Sequence, residues 1–99
     1  MVWGESDPAR ADTNLDMLRT EVLPKMEQLP GFCSMSLFVN RESGRSAMAT
    51  TYDNREQMEQ ATDRAMEIRR EATDQMGVRI TDVADFDLVI HHLRVPELA

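Results

Sequence analysis

Apolar residues recur at steps of three and four through "SDPARADTNLDMLRTEVLPKMEQLPGF", where Leu15, Leu18, Val22, Met26 and Leu29 form one stripe. That spacing predicts a helix over residues 8 to 28, with Asp7 as its N-cap and Pro8 as its first helical residue. Pro24 falls inside the pattern, where it removes an amide donor and crowds the carbonyl of Thr20, so a kink or short break is expected there. After "LPGF" the period changes to two. Cys33, Met35, Leu37 and Val39 point one way, and Phe32, Ser34, Ser36, Phe38 and Asn40 the other, the alternation of a strand with one core face. "NRESGRS" supplies a turn with Gly44 free to take a positive φ, and "RSAMATTY" alternates again, so residues 32 to 52 read as a β-hairpin. "YDNREQMEQ" opens a second helix with Asp53 as N-cap and Glu56 three residues on. Its stripe is Met58, Ala61, Ala65, Ile68, Ala72 and Met76, and Gly77 closes it, giving a helix over 54 to 76. "VRITDVADFDLVIHHLRV" then leads to a final strand that Pro96 ends.

The order helix, strand, strand, helix, strand predicts an α+β, ferredoxin-like sandwich with an antiparallel sheet whose first strand is missing or cut to "MVW". A length of 99 residues allows one domain, residues 1–99, with one modest core. At 41% hydrophobic and 29% charged the chain falls in the globular class. A net charge of -7 with a single lysine, Lys25, argues against nucleic acid as a partner. No apolar run approaches the roughly 20 residues of a membrane span, and the start lacks the pattern of a signal peptide. A cytoplasmic protein is therefore expected, in keeping with one unpaired cysteine.

The candidate chemistry lies on the sheet. Ser34, Ser36 and Phe38, with Ala47, Ala49 and Thr51 on the facing strand, make a face that is uncharged and mostly small, which leaves room for a ligand or for another protomer's side chains. His91 and His92 are neighbours on the expected last strand and so point to opposite faces; they cannot form a two-ligand metal site. If Phe86, Leu88 and Ile90 pack under the helices, His91 faces the interior beside Ser34 and Ser36, the one weak catalytic candidate, its bland role being a buried neutral histidine bonded to a backbone carbonyl. Cys33 reads as an inert thiol on the apolar row. The methionines read as adaptable core filler, and Arg69 and Arg70 as part of a solvated helix face within reach of Glu67 and Asp74. Trp3 sits in a segment expected to anchor or fray.

"EVLPKMEQLPGF", the hairpin around "NRESGR", Tyr52 before the acidic cap of the second helix and an apolar terminal strand together resemble the dimeric α/β-barrel superfamily that includes antibiotic-biosynthesis monooxygenase domains. The resemblance spans residues 8 to 95 and rests on order and spacing. It implies a homodimer in which two sheets face each other with helices outside, and an inter-sheet pocket. Ser34, Ser36, Phe38, Ala49, Thr51 and His91 would contact a small aromatic ligand there, in a cofactor-independent oxygenase or a binder that needs neither metal nor cofactor. The haem-degrading branch of that superfamily is a poor match, because the second helix carries Ala61 and Glu71 near the expected tryptophan and histidine positions. The other reading is a noncatalytic assembly module with a filled interior.

Overall fold

The structure, a computed structural model, describes residues 1–92. Four strands form one antiparallel sheet: β1 (Val2–Glu5), β2 (Phe32–Val39), β3 (Arg45–Tyr52) and β4 (Arg79–Val83), in the order β2-β3-β1-β4. A helical arm lies between β1 and β2, and α3 (Arg55–Met76) lies between β3 and β4. The architecture is α+β with a connectivity compatible with a ferredoxin-like unit.

The first strand is present and short, the second of the two alternatives expected, and it runs two residues beyond "MVW". It is neither missing nor peripheral: β1 pairs with β3 from Val2↔Met48 to Glu5↔Arg45, and with β4 on its other side. Four residues including a glycine carry little strand signal, but Gly4 has a packing reason. A Cβ there would meet Val78 Cγ1 at 2.9 Å and the Arg79 carbonyl at 3.2 Å, so only glycine lets the neighbouring strand come this close. Trp3, expected to anchor or fray, stands opposite Ala47 in the middle of the sheet.

The helical arm follows its predicted span from Pro8, capped by Asp7 Oδ1 accepting from the Ala9 amide at 2.9 Å. A 3-10 turn over Pro8–Arg10 leads into α1 (Ala11–Met17), a π turn over Leu18–Val22, and α2 (Leu23–Met26). The disturbance expected at Pro24 is this π turn. The Leu23 amide reaches back five residues to the Leu18 carbonyl, and Pro24 falls in the opening turn of α2, where its missing donor is harmless. The wide turn also rotates everything upstream of it. Two turns back from Val22 in a regular helix lies Leu15; with one extra residue taken up, it is Asn14 that is buried while Leu15 is half-buried.

The hairpin holds over its predicted range, and Gly44 takes φ 78° in its turn. Its parity does not hold throughout, because the pairing with β3 shifts between Phe32 and Ser34. That irregularity leaves Phe32 and Met35 both against the core and turns Cys33 out of the apolar row. The N-cap of α3 is Asn54, whose Oδ1 accepts from the Gln57 amide at 2.8 Å, and not Asp53. Its C-terminus closes on Gly77 at φ 66°, as expected.

The last strand comes earlier than predicted. β4 ends at Val83, where the Ala84 amide donates to the Met1 carbonyl at 3.0 Å and completes the ladder. Residues 84–92 form no strand, and Phe86, Leu88, Val89 and Ile90 are exposed rather than tucked under the helices. Pro96 and the rest of the expected strand lie outside the described residues.

The core sits chiefly between the helical arm and α3. Val22, Met26 and Leu29 meet Ala61, Ile68, Ala72 and Met76, all buried, with Ile68 only 2% exposed. Burying a side chain such as Ile68 stabilises the fold by about 1.5–3 kcal/mol. Phe32, Met35, Tyr52 and Val78 bring the sheet against this cluster.

Candidate functional site

The helix stripes bury themselves mainly against each other, and the space left between helices and sheet is a cavity of about 490 Å³. Its floor is the helix-facing row of the sheet, including Leu37, Met48 and Ile80; its roof includes Leu18, Ala65 and Met66. The wall is mostly hydrocarbon with a few polar groups, the composition of a site for a small organic molecule.

Three of those polar groups have definite surroundings. Asn14, on α1, is 7% exposed. Its Nδ2 donates to the Met76 carbonyl at 3.3 Å, near the C-terminus of α3, while its Oδ1 is buried with no hydrogen-bond partner among the described residues. Tyr52, at the end of β3, is half-buried; burial first, and then the negative charge of Asp85, push its phenol above the ordinary value, so it stays protonated and serves as a donor. Arg69 is half-buried in the α3 wall instead of joining a solvated charge cluster, and Glu67 is taken by Arg64 at 3.0 Å. Asp85, Phe86, Asp87 and Leu88 continue the lining, and Asp87 is held there by Arg55 at 2.7 Å.

The opposite face of the sheet carries the site residues expected from sequence. The register places Ser34 against Thr51, Ser36 against Ala49 and Phe38 against Ala47, so these residues are brought together. The Ser34 and Thr51 hydroxyls share a hydrogen bond across the pair. Ala49 and Thr51 also contribute to the wall of the helix-side cavity, whereas Ser34, Ser36 and Phe38 do not. Phe38, at 61% exposed, and Trp3 border a shallow groove on the open face, and Phe86 packs edge-on against Trp3 with ring centroids 6.2 Å apart. His91 is not brought to this group: both histidines are exposed and follow the end of β4 in chain that forms no strand, so the strand parity that assigned them to faces does not apply.

Cys33 is likewise not the core thiol expected. Its Sγ lies exposed and donates to Asp53 Oδ1 at 2.8 Å. The thiol is pushed up by that hydrogen bond, then by desolvation and by the carboxylate's charge. Among the described residues no cluster of His, Cys, Asp or Glu could hold a metal ion, and no helix is long and apolar enough to cross a membrane.

Asn14 escaped the sequence reading. Its one signal was position: a poor helix former one residue from a stripe leucine, in a helix whose proline called for an irregular turn.

No protein-family profile and no solved structure matches the chain. It is similar to "Uncharacterized protein Rv2558" of Mycobacterium tuberculosis (strain ATCC 25618 / H37Rv), 42% identical over 97 residues, which is 97% of this chain and 41% of that protein. It is also similar to "Uncharacterized protein Rv2557" of the same strain, 35% identical over 96 residues, 97% of this chain and 43% of that protein. The chain thus spans about two fifths of the length of these curated relatives.

Proposed function

We propose that this chain binds a small, flat, largely apolar molecule between its helices and its sheet, and pairs with a second copy through the open face of that sheet, in the manner of a dimeric α/β barrel. The observation that carries the binding reading is the cavity of about 490 Å³ walled by aliphatic side chains. It speaks against an assembly module with a filled interior. A cofactor-independent monooxygenase is the catalytic form of the same reading, suggested by the sequence resemblance. Binding stands ahead of catalysis because Tyr52, kept protonated, offers the cavity a donor rather than a base.

What supports the pairing is the composition of the open face. Trp3 and Phe38 flank the small Ala47, with Arg45 and Asn40 at the border, and exposed aromatic surface rimmed by polar groups is a usual mark of an interface. The relatives' greater length also leaves room, beside the part that matches, for a second unit of this size.

The experiment is a titration with bicyclic aromatic fluorophores, read by ligand fluorescence, on three proteins. Wild type should take one ligand per chain. Ala65→Phe, which fills the helix-side cavity, should abolish uptake, and Ser36→Leu, on the open face, should leave it intact. The reverse pattern would move the site to the space between two sheets, and no uptake by wild type would sink the binding reading. Catalysis is read separately, as dissolved-oxygen consumption by metal-free protein in the presence of a phenolic substrate.

A further inference from the structure

Asn14, a residue of the cavity wall, carries a buried acceptor that the protein itself leaves unused. Asn14 is more than nine-tenths buried, and the orientation of its amide is fixed by chemistry: the Met76 carbonyl can only accept, so the NH2 side must face it. That turns Oδ1 to the other side, where it has no partner among the described residues. Of the two buried side-chain acceptors left in this condition, Asn14 Oδ1 and Gln57 Oε1, only Asn14 belongs to a cavity residue. The residues one turn either side of it on the same wall are Ala11 and Leu18, with Met76 across from it. A lone acceptor among such groups offers a water too few partners to hold it well, whereas a ligand whose apolar body fills the cavity can bring its own donor.

We infer that Asn14 is the polar anchor of the cavity, and that the ligand presents a hydroxyl or N–H donor to its Oδ1. This rests on the binding reading above and narrows it. The favoured class is phenols, naphthols and related hydroxy- or amino-aromatics. Ethers and plain hydrocarbons of the same shape leave the acceptor unpaired, and carboxylates set one acceptor against another. Asn14 acts here by choosing ligands, and no covalent step is assigned to it.

The test compares 2-naphthol with 2-methoxynaphthalene on the intact chain, in wild type and in Asn14→Leu, which keeps the side chain's bulk and removes the amide. Wild type should prefer the naphthol by about tenfold more than the variant does, the order that pairing a buried acceptor commands. Comparing the two proteins cancels the ligands' own difference in hydration. A second readout needs no variant: the Asn14 side-chain amide resonance should move on adding the naphthol and stay put on adding the ether. Equal preference in the two proteins with an unmoved amide resonance overturns the anchor while leaving the pocket standing. Failure of both probes to bind wild type overturns the pocket and the anchor together. If Asn14→Leu does not fold, the amide resonance decides alone.

Discussion

Both faces of the sheet carry small and apolar residues, the open one with Glu5, Arg45, Arg79 and Asp82 along β1 and its neighbours, yet they have opposite fates. The helix-side face lies beneath two helices that bury their best apolar residues against one another, so it is roofed without being filled. The open face is covered only where Phe86 meets Trp3 edge-on, and it presents Phe38 outward. The difference teaches that small and apolar residues alone do not assign a role to a sheet face. A roofed face with spare volume suits a ligand, and an unroofed face with aromatic anchors suits another sheet.

The comparison can be broken at its roof. Ile68→Ala should destabilise the chain by about 3 kcal/mol in chemical denaturation, because deleting a fully buried branched side chain loses both transfer energy and packing. A loss below about 1 kcal/mol would mean that the helices do not carry the core. On the other face, Phe38→Asp should leave unfolding within about 0.5 kcal/mol of wild type, as expected for an exposed position, while sedimentation at micromolar concentration shifts from dimer to monomer. A wild-type protein already monomeric under those conditions would remove the interface from the account.

Titration sharpens the picture at the cavity wall. Tyr52 is the sole tyrosine, so its phenolate absorbance can be followed directly. In the folded chain its midpoint should lie above the ordinary 10.0. The unfolded chain then loses this proton first, so stability falls as pH rises from 10.0 towards the folded midpoint, and below 10.0 the group contributes nothing to the slope. Asp85→Asn should lower the folded midpoint only in part, since burial is the larger cause. The smallest effect belongs to Cys33. Asp53→Ala removes the acceptor that holds its proton, so alkylation by iodoacetamide at mildly alkaline pH should speed up with no loss of fold. An unchanged rate would mean that the thiol is not held by Asp53 in solution.

Much of this architecture was legible because it repeats. Five stripe residues in the first helix and six in the second repeat often enough to survive one irregularity, and the hairpin has a long alternation with a glycine at its turn. The extent of β1 was not legible because four residues offer no period to count, and its glycine is favoured by the approach of Val78, a contact made only in the fold. The terminal strand misled for the opposite reason. Residues 86 to 90 have the composition of a strand, but a strand needs a neighbour, and the ladder with β1 is already complete at Ala84. The site divided along the same line. Parity brought Ser34, Ser36, Phe38, Ala49 and Thr51 to one region because cross-strand pairing is local, whereas His91 depended on a strand that does not reach it, and Asn14 on how far a helix is wound.

That winding makes Leu18–Val22 behave as a setting rather than a spacer. Deleting any one of its residues would hardly shorten the arm; restored to ordinary pitch, it would swing the first two turns by about 100° about their own axis. Leu15 would come to the inner wall and the Asn14 amide would turn outward. The loss of one codon at Arg19, Thr20 or Glu21, which lie outside the cavity wall, would thus convert a cavity with a chemical preference into one that reads only shape.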